Sequence, residues 1–146
     1  MIIERLAVED VDAVADLFDA YRKFYHQPSD IPAAKQFLKA RLLNEDSILF
    51  VAKMDHQCVG FTQLYPTFSS VAMKRAFILN DLYVAEDYRR HGIAEKLMEQ
   101  AFQFAKQHDA RSIALETGAL NTKAQALYEK VGMEVETDVK HYIYYW

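Results

Sequence analysis

The spacing of apolar residues alternates between two periods along the chain, and this alternation limits the folds that the sequence can form. A short strand is predicted at Ile2–Leu6. From Val8 to Phe24 apolar residues recur every three or four positions, which is the pattern of one helix face. Pro28 and Pro32 interrupt this pattern, and a second helix is predicted from Ala33 to Leu43.

Strand-like runs follow the two helices. Ser47–Met54 and Cys58–Tyr65 flank a short polar loop, which is typical of a hairpin, and Lys74–Val84 is a third run. The helical period returns at Gly92–His108. Beyond it the sequence predicts a strand at Arg111–Thr117, a helix at Thr122–Val131, and strands at Met133–Thr137 and Lys140–Tyr145. The order β-α-α-β-β-β-α-β-α-β-β predicts an α/β (α+β) fold, a mixed sheet covered by helices, in a single domain spanning residues 1–146.

Composition excludes several classes of protein. Hydrophobic residues make up 51% of the chain and charged residues 26%, as in ordinary soluble globular domains. A net charge of −4 argues against nucleic acid as the main partner. There is no signal peptide pattern and no apolar run of the roughly 20 residues that would span a bilayer. The single cysteine, Cys58, cannot form an intramolecular disulfide, and no histidine pair has metal-ligand spacing. We therefore expect a cytoplasmic protein with no metal site and no membrane or nucleic-acid partner.

A basic turn is the strongest local motif. The segment RRHGIA, residues 89–94, follows the run that ends at Val84 and precedes a helix. Helix N-termini present unpartnered backbone N–H groups and favour anions. Gly92 removes the side chain that would keep a phosphate from the backbone, and Arg89 and Arg90 add charged donors. The turn predicts a pyrophosphate site, with an ordinary exposed basic turn as the alternative.

Two motifs resemble those of one enzyme superfamily. Arg89-x-x-Gly92-x-Ala94 matches the Arg/Gln-x-x-Gly-x-Gly/Ala signature of GNAT N-acetyltransferases, which lies between the fourth strand and the third helix. The segment from Asn121 to Met133, NTKAQALYEKVGM, resembles the superfamily's Asn-x-x-Ala-x-x-x-Tyr-x-x-x-Gly-Phe block. With the element order, the resemblance covers nearly the whole chain. It implies direct transfer of the acetyl group of acetyl-CoA to a primary amine.

The resemblance also implies where acetyl-CoA binds. The sheet is expected to splay between its fourth and fifth strands, with the pantetheine arm in the gap and the pyrophosphate on the basic turn. The backbone N–H of Leu82 is the candidate oxyanion donor. Asn121 is expected to bind the pantetheine, or else only to cap its helix. The predicted cofactor-binding residues are Leu82, Tyr83, Val84, Arg89, Arg90, His91, Gly92, Ile93, Ala94, Asn121 and Ala124.

Three residues are candidates for proton transfer. Tyr128 matches the position whose hydroxyl protonates the leaving thiolate in many relatives, and a packed helix-face ring is the alternative. Asp81 stands where some diamine- and polyamine-acetylating relatives carry an acid, although Asn80 replaces the second acid that often precedes it. Strand alternation sends these two side chains to opposite faces unless a bulge intervenes. Glu116 is the rival candidate for the base.

The acceptor pocket is expected beside the first two helices and a loop at 66–70. An aromatic, partly acidic pocket suits an ammonium group, which favours a small cationic amine such as a diamine, polyamine or amino sugar. A protein N-terminus or lysine, or a non-catalytic role in binding or sensing acyl-CoA, are the alternatives. The predicted acceptor-binding residues are Tyr21, Tyr25, Phe68 and Asp81, and core packing is the alternative for the rings.

The C-terminal segment His141–Trp146 is unusually aromatic. It predicts a homodimer surface, with an edge strand facing the core as the alternative.

Overall fold

The computed structural model describes residues 1–146, and it contains a five-stranded sheet in the order β1-β2-β3-β4-β5 with four α-helices. The strands are β1 (Ile2–Arg5), β2 (Ile48–Met54), β3 (Gln57–Ser69), β4 (Lys74–Val84) and β5 (Ile113–Ala114). The helices are α1 (Asp12–Phe24), α2 (Ile31–Leu43), α3 (Ile93–Gln107) and α4 (Thr122–Lys130). β1 to β4 pair antiparallel, and β5 is parallel to β4. The mixed α/β fold is confirmed.

The chain divides into two compact units, Met1–Glu116 and Thr117–Trp146. The first contains the sheet and α1 to α3, and the second contains α4 and the C-terminal residues. The single domain expected for residues 1–146 stays a prediction. No helix is long and apolar enough to cross a lipid bilayer.

The start of α2 lies two residues before the predicted start. Asp30 caps the helix by accepting a hydrogen bond from the Ala33 N–H at 3.1 Å, and Pro32 occupies the first turn, where its missing N–H costs nothing. The buried Asp19 of α1 accepts hydrogen bonds from the Ser29 hydroxyl at 2.7 Å and the Asp30 N–H at 2.8 Å. These two bonds lower the pKa of Asp19, the bond from Ser29 having the larger effect, and they fix the connection between the helices.

The sheet buries apolar side chains on both faces. On the face covered by α1 and α2, Phe61 of β3 packs against Phe18 with ring centroids 5.9 Å apart. On the face covered by α3, Phe104 contacts Phe50 and Phe77, each at 5.6 Å. Since a β-strand sends alternate side chains to opposite faces, the same strands supply core side chains to the layer under α1 and α2 and to the layer under α3.

The strand β3 is longer than predicted and continues to Ser69, so residues 66–69 are not a loop. Pro66 is tolerated there because β3 pairs with β2 only as far as Leu64. At Pro66 the strand has a partner on one side alone, Phe77 of β4, and the missing N–H interrupts no ladder on the other side.

A bulge in β4 places Asp81. Gln63 pairs with Asp81, whereas the next residue, Leu64, pairs with Leu79, which leaves Asn80 as an extra residue. Asp81 therefore contacts Tyr21 of α1, while Phe77, in the part of the strand before the bulge, contacts α3. The bulge considered from the sequence is present.

The sheet splays between β4 and β5, as expected. The two strands pair only at Phe77 with Ile113 and at Ile78 with Ala114. β4 continues to Val84, so residues 79–84 have no strand partner on the β5 side. The predicted strand Arg111–Thr117 is therefore only two residues long, because the diverging β4 offers it no partner beyond Ala114.

In the second unit, α4 ends as the glycine in its motif predicts. Gly132 has a φ of +98°, and the N–H groups of Gly132 and Met133 donate to the carbonyls of Glu129 and Tyr128. The structure assigns no strand at Met133–Thr137 or at Lys140–Tyr145, so these two predictions are wrong.

Candidate active site

The start of α3 forms an open anion-binding turn. Gly92 adopts a φ of +75°, a conformation that favours glycine, and its carbonyl accepts the first helical hydrogen bond, from the Lys96 N–H. The N–H groups of Ile93 and Ala94 therefore have no acceptor within the helix. A Cβ built on Gly92 would meet nothing within 4 Å, so the space beside this residue is open. Phosphate oxygens fit this position.

The basic residues of the turn have different roles. The Nε–H of Arg89 donates to the Val84 carbonyl at 2.9 Å, and its guanidinium lies 5.3 Å from the centroid of the Tyr83 ring. Arg89 thus joins the turn to the end of β4. Arg90 is exposed and has a φ of +68°, while Nδ1 of His91 lies 3.1 Å from the Tyr88 carbonyl oxygen. The contacts of Arg89 with Val84 and Tyr83 therefore fix the position of the turn against the sheet.

Gly60 of β3 sets the distance between α3 and the sheet, and the sequence reasoning missed it. A Cβ at this position would lie 3.2 Å from Ile93 Cγ2, 3.2 Å from the Tyr83 carbonyl oxygen and 3.3 Å from Leu97 Cδ1. The absence of a side chain lets the first turn of α3 lie directly on β3 and β4. A glycine inside an apolar strand run was the available signal.

Asp81 lies at the centre of a buried polar cluster on the α1 face of the sheet. Its side chain is 3% exposed. The Tyr21 hydroxyl donates to Oδ1 at 3.0 Å and the Asn80 amide donates to the same oxygen at 2.9 Å. The Gln63 amide donates to Oδ2. All three donors are uncharged, so they satisfy the carboxylate oxygens without neutralising the negative charge.

Gln63 adds a second buried acceptor to this cluster. The residue is fully buried, and its Oε1 has no hydrogen-bond partner. An unpaired buried carbonyl oxygen costs about 1–3 kcal/mol, which a donor from a ligand would recover. Gln63 was also missed from the sequence, because only the register of β3 against β4 places it opposite Asp81.

Aromatic rings surround the Tyr21 hydroxyl group. The Tyr21 ring lies 5.2 Å from Tyr25, 5.5 Å from Phe61 and 5.8 Å from Tyr83, centroid to centroid. Burial, and then the charge of Asp81, raise the pKa of Tyr21 far above its ordinary value. The hydroxyl therefore stays protonated and remains a donor to Asp81.

The structure brings together three of the four predicted acceptor-binding residues. Tyr21, Tyr25 and Asp81 are connected through the contacts just described, and Tyr25 is 57% exposed. Phe68 lies elsewhere, because it pairs with Arg75 near the tip of the β3–β4 hairpin, five positions along β3 from Gln63. It is 74% exposed.

The other predicted catalytic residues lie near or beyond the end of the first unit. Glu116 is exposed and follows β5 by two positions. In the second unit, Asn121 caps α4 by accepting a hydrogen bond from the Ala124 N–H at 3.2 Å, as the capping alternative predicted. Tyr128 is half-buried in α4. The catalytic roles of Glu116 and Tyr128 and the pantetheine contact of Asn121 stay predictions.

The sequence and the fold match known proteins. Residues 12–133 match the Acetyltransferase (GNAT) family. The chain belongs to this family. This GNAT acetyltransferase is 46% identical to the "Uncharacterized N-acetyltransferase YhfO" of Bacillus subtilis (strain 168) over 97% of its own length and 95% of that protein. It superposes with a TM-score of 0.95 on a crystal structure described as that of a probable acetyltransferase, at 37% identity, covering 100% of this chain and 98% of the other.

A more distant solved structure shows the fold alone. An aminoglycoside acetyltransferase from an uncultured soil metagenomic sample superposes with a TM-score of 0.84 at 22% identity, over 99% of this chain and 95% of the other. The predicted class, an N-acetyltransferase, is confirmed by these matches. GNAT acetyltransferases use acetyl-CoA as co-substrate, and the open turn before α3 and the unpaired part of β4 fit its phosphates and its amide groups.

Proposed function

We propose that this GNAT acetyltransferase transfers the acetyl group of acetyl-CoA directly to a primary amine of a small cationic molecule, such as a diamine, polyamine or amino sugar. The observation that carries the proposal is the buried carboxylate of Asp81 with its three uncharged donors, beside the unpartnered Oε1 of Gln63. A buried negative charge without a counter-charge favours a cationic ligand.

Acetyl-CoA would bind to the first unit, at the turn before α3 and beside the unpaired part of β4. The N–H groups of Ile93 and Ala94 would hold the pyrophosphate, with Arg90 adding positive charge at the surface. Residues 79–84 of β4 have no strand partner on the β5 side, and apart from the Val84 carbonyl, which accepts from Arg89, their backbone groups on that side would pair with amide groups of the pantetheine arm. The N–H of Leu82 is the candidate donor to the thioester oxygen as it becomes negative.

The transfer itself forms a C–N bond and breaks a C–S bond. The neutral amine attacks the thioester carbon, a base removes the extra proton from nitrogen, and an acid protonates the departing thiolate. We assign the acid to Tyr128. Both carboxylate oxygens of Asp81 already accept hydrogen bonds from the protein, which disfavours a role in taking the proton from the amine. We therefore assign Asp81 to anchoring a substrate ammonium, and the exposed Glu116 is the candidate base. Asp19 is occupied by Ser29 and Asp30 and takes no part.

The acceptor class is tested by measuring thiol release from acetyl-CoA with diamines, polyamines, amino sugars and peptides. We expect a diamine to be acetylated faster than a monoamine of equal length. Asp81→Asn should raise KM for the diamine and spare the monoamine, whereas Asp16→Asn, which removes the same charge from an exposed position of α1, should change neither.

Three outcomes would contradict this assignment. A parallel loss with both amines in Asp81→Asn would make Asp81 structural. Turnover with peptides but with no small amine would establish the protein-directed alternative. Tight acetyl-CoA binding without turnover on any amine would establish the sensing alternative. The homodimer and the cytoplasmic location are also proposals.

A further inference from the structure

Buried polar atoms without a hydrogen-bond partner gather in one part of the first unit. Arg41 Nε, Asp46 Oδ1, Ser47 Oγ and Gln63 Oε1 are each buried and each lack a partner. Leaving a buried polar atom unpaired is costly, so native proteins contain few such atoms. These four residues form a polar row, and their grouping indicates a place where something other than the protein completes the hydrogen bonds.

The register of β2 against β3 places the members of the polar row side by side. Ser47 lies directly before β2 and two residues before Leu49, which faces α1 and α2 and pairs with Gln63. Strand alternation therefore gives Ser47 and Gln63 the same face of the sheet. Asp46 precedes Ser47, and its Oδ2 accepts a hydrogen bond from Arg41 Nη1 at 2.9 Å. The polar row thus runs from Gln63 to the end of α2.

Tyr65 connects the polar row to the carboxylate of Asp81. It lies two residues after Gln63 in β3, so the two side chains share a face. Burial raises the pKa of Tyr65, and the nearby charges then shift it, Asp81 and Asp46 upward and Arg41 downward. The Tyr65 hydroxyl therefore lies within electrostatic reach of both the buried carboxylate and the far end of the polar row.

The polar row borders solvent on one side. Tyr65 is half-buried, and Ile78, which pairs with it, is 41% exposed. The side chains of Arg41 and Asp46 are also partly exposed, although their unpaired atoms face inward. A small rotation of this exposed ion pair would open the unpaired atoms to a ligand that is held at Asp81.

The chemistry of the polar row suits hydroxyl groups. Arg41 and Asp46 neutralise each other, so the row lacks hydrogen bonds and does not lack charge. Arg41 Nε and the Ser47 hydroxyl can donate, whereas Asp46 Oδ1 and Gln63 Oε1 can accept. A hydroxyl group is uncharged and both donates and accepts, so it satisfies either kind of atom. The methylene groups of an aliphatic diamine or polyamine would leave all of these atoms unpaired.

We propose that the polar row binds the hydroxyl groups of the acceptor, so that the substrate is a polyhydroxylated amine, an amino sugar or aminocyclitol, and not an aliphatic diamine or polyamine. This inference rests on the proposed function, which places a substrate ammonium at Asp81. Successive side chains on one face of β3 are about 7 Å apart, roughly the width of a substituted six-membered ring. One ring can therefore place an ammonium at Asp81 and hydroxyl groups at the polar row.

Two ring diamines test this specificity. 2-Deoxystreptamine and cis-1,3-diaminocyclohexane carry the same two amines on the same six-membered ring, and only the first carries hydroxyl groups. Both provide an ammonium for Asp81, so a difference between them reports on the hydroxyl groups. We expect kcat/KM, measured by thiol release from acetyl-CoA, to be at least about tenfold higher for 2-deoxystreptamine, or about 1.4 kcal/mol.

Substitutions in the polar row separate binding from the intrinsic reactivity of the two amines. Ser47→Ala removes one hydroxyl, and Arg41→Lys keeps the charge opposite Asp46 but removes the Nε–H donor. Each should lower kcat/KM for 2-deoxystreptamine by about three- to tenfold and leave the hydroxyl-free diamine unchanged. The control Ser70→Ala removes the same group from an exposed position at the tip of the β3–β4 hairpin and should change neither. Because Ser47 Oγ has no partner, Ser47→Ala should not lower Tm.

The outcomes separate this inference from the proposed function. Equal kcat/KM for the two amines in the wild type, or an unchanged ratio in both variants, would overturn the hydroxyl site and leave acetylation of a small cationic amine in place. If neither amine is acetylated, the proposed function fails. Calorimetric titration of both amines into the CoA-bound protein then decides the hydroxyl site, since equal affinities would overturn it and tighter binding of 2-deoxystreptamine that is lost in Ser47→Ala would support it.

Discussion

The hydrogen bond from Tyr21 to Asp81 allows a quantitative test of the buried cluster. Tyr21→Phe removes one donor from a carboxylate that is 3% exposed and leaves the ring in place. Hydrogen bonds to charged groups contribute about 1.5–3 kcal/mol, and the remaining donors cannot replace the lost one. For 146 residues the unfolding entropy is about 0.3 kcal/mol/K, so Tm should fall by roughly 5–10 °C. Calorimetry on both proteins measures this change.

The matched control is Tyr25→Phe, which removes the same atom from an exposed ring next to Tyr21. It should change Tm by less than about 2 °C, because surface substitutions have little effect on stability. The double variant Tyr21→Phe/Asp81→Asn then measures the coupling between the two residues. A loss of less than about 0.5 kcal/mol in Tyr21→Phe, or an equal loss in Tyr25→Phe, would refute the view that Tyr21 stabilises the buried charge.

Three further predictions concern the turn, the acid and the alkaline stability. Gly92→Val should weaken acetyl-CoA binding, measured by calorimetry, at least about tenfold, or about 1.4 kcal/mol. The control Gly132→Val, at a glycine with a similar positive φ and open surroundings, should lower stability alone, and an equal loss of affinity in both variants would contradict the phosphate site. Tyr128→Phe should lower kcat by about 10²–10⁴-fold with little change in acetyl-CoA binding, and a change below about threefold would return Tyr128 to packing. Burial raises the pKa of Tyr65 to about 12, so between pH 10 and 12 the folded state holds more protons than the unfolded state, and the free energy of unfolding falls as pH rises. Tyr65→Phe should reduce this fall in urea unfolding, and an unchanged dependence on pH would contradict the prediction.

Local patterns predicted most of the fold because each of these elements buries one face. The helix at Val8–Phe24 and the strand Lys74–Val84 carry the periods of their final structures, and β4 matches its predicted bounds. The bounds that failed depend on partners distant in sequence. β5 is two residues long because β4 diverges, and residues 133–146 form no strand, although their pattern is that of strands.

The candidate site was predictable where a motif coincides with backbone geometry. The turn before α3 needs a glycine with positive φ, and Gly92 provides it. The cluster around Asp81 was predictable only in part, because the register that places Gln63 opposite Asp81 follows from a bulge. Gly60 likewise acquires its role from the distance between α3 and the sheet, which no local pattern encodes.

The extra residue at Asn80 divides β4 into two half-strands of opposite phase. Before it, Phe77 packs against Phe104 of α3, and after it Asp81 and Tyr83 contact Tyr21 of α1. Deleting Asn80 would impose one phase on the whole strand. Either the carboxylate of Asp81 would enter the apolar layer under α3, or Phe77 would leave it. The number of residues in this strand is therefore under tighter constraint than the identity of residue 80, because a substitution there removes only one of the three donors to Asp81, whereas a deletion moves a whole face of the strand.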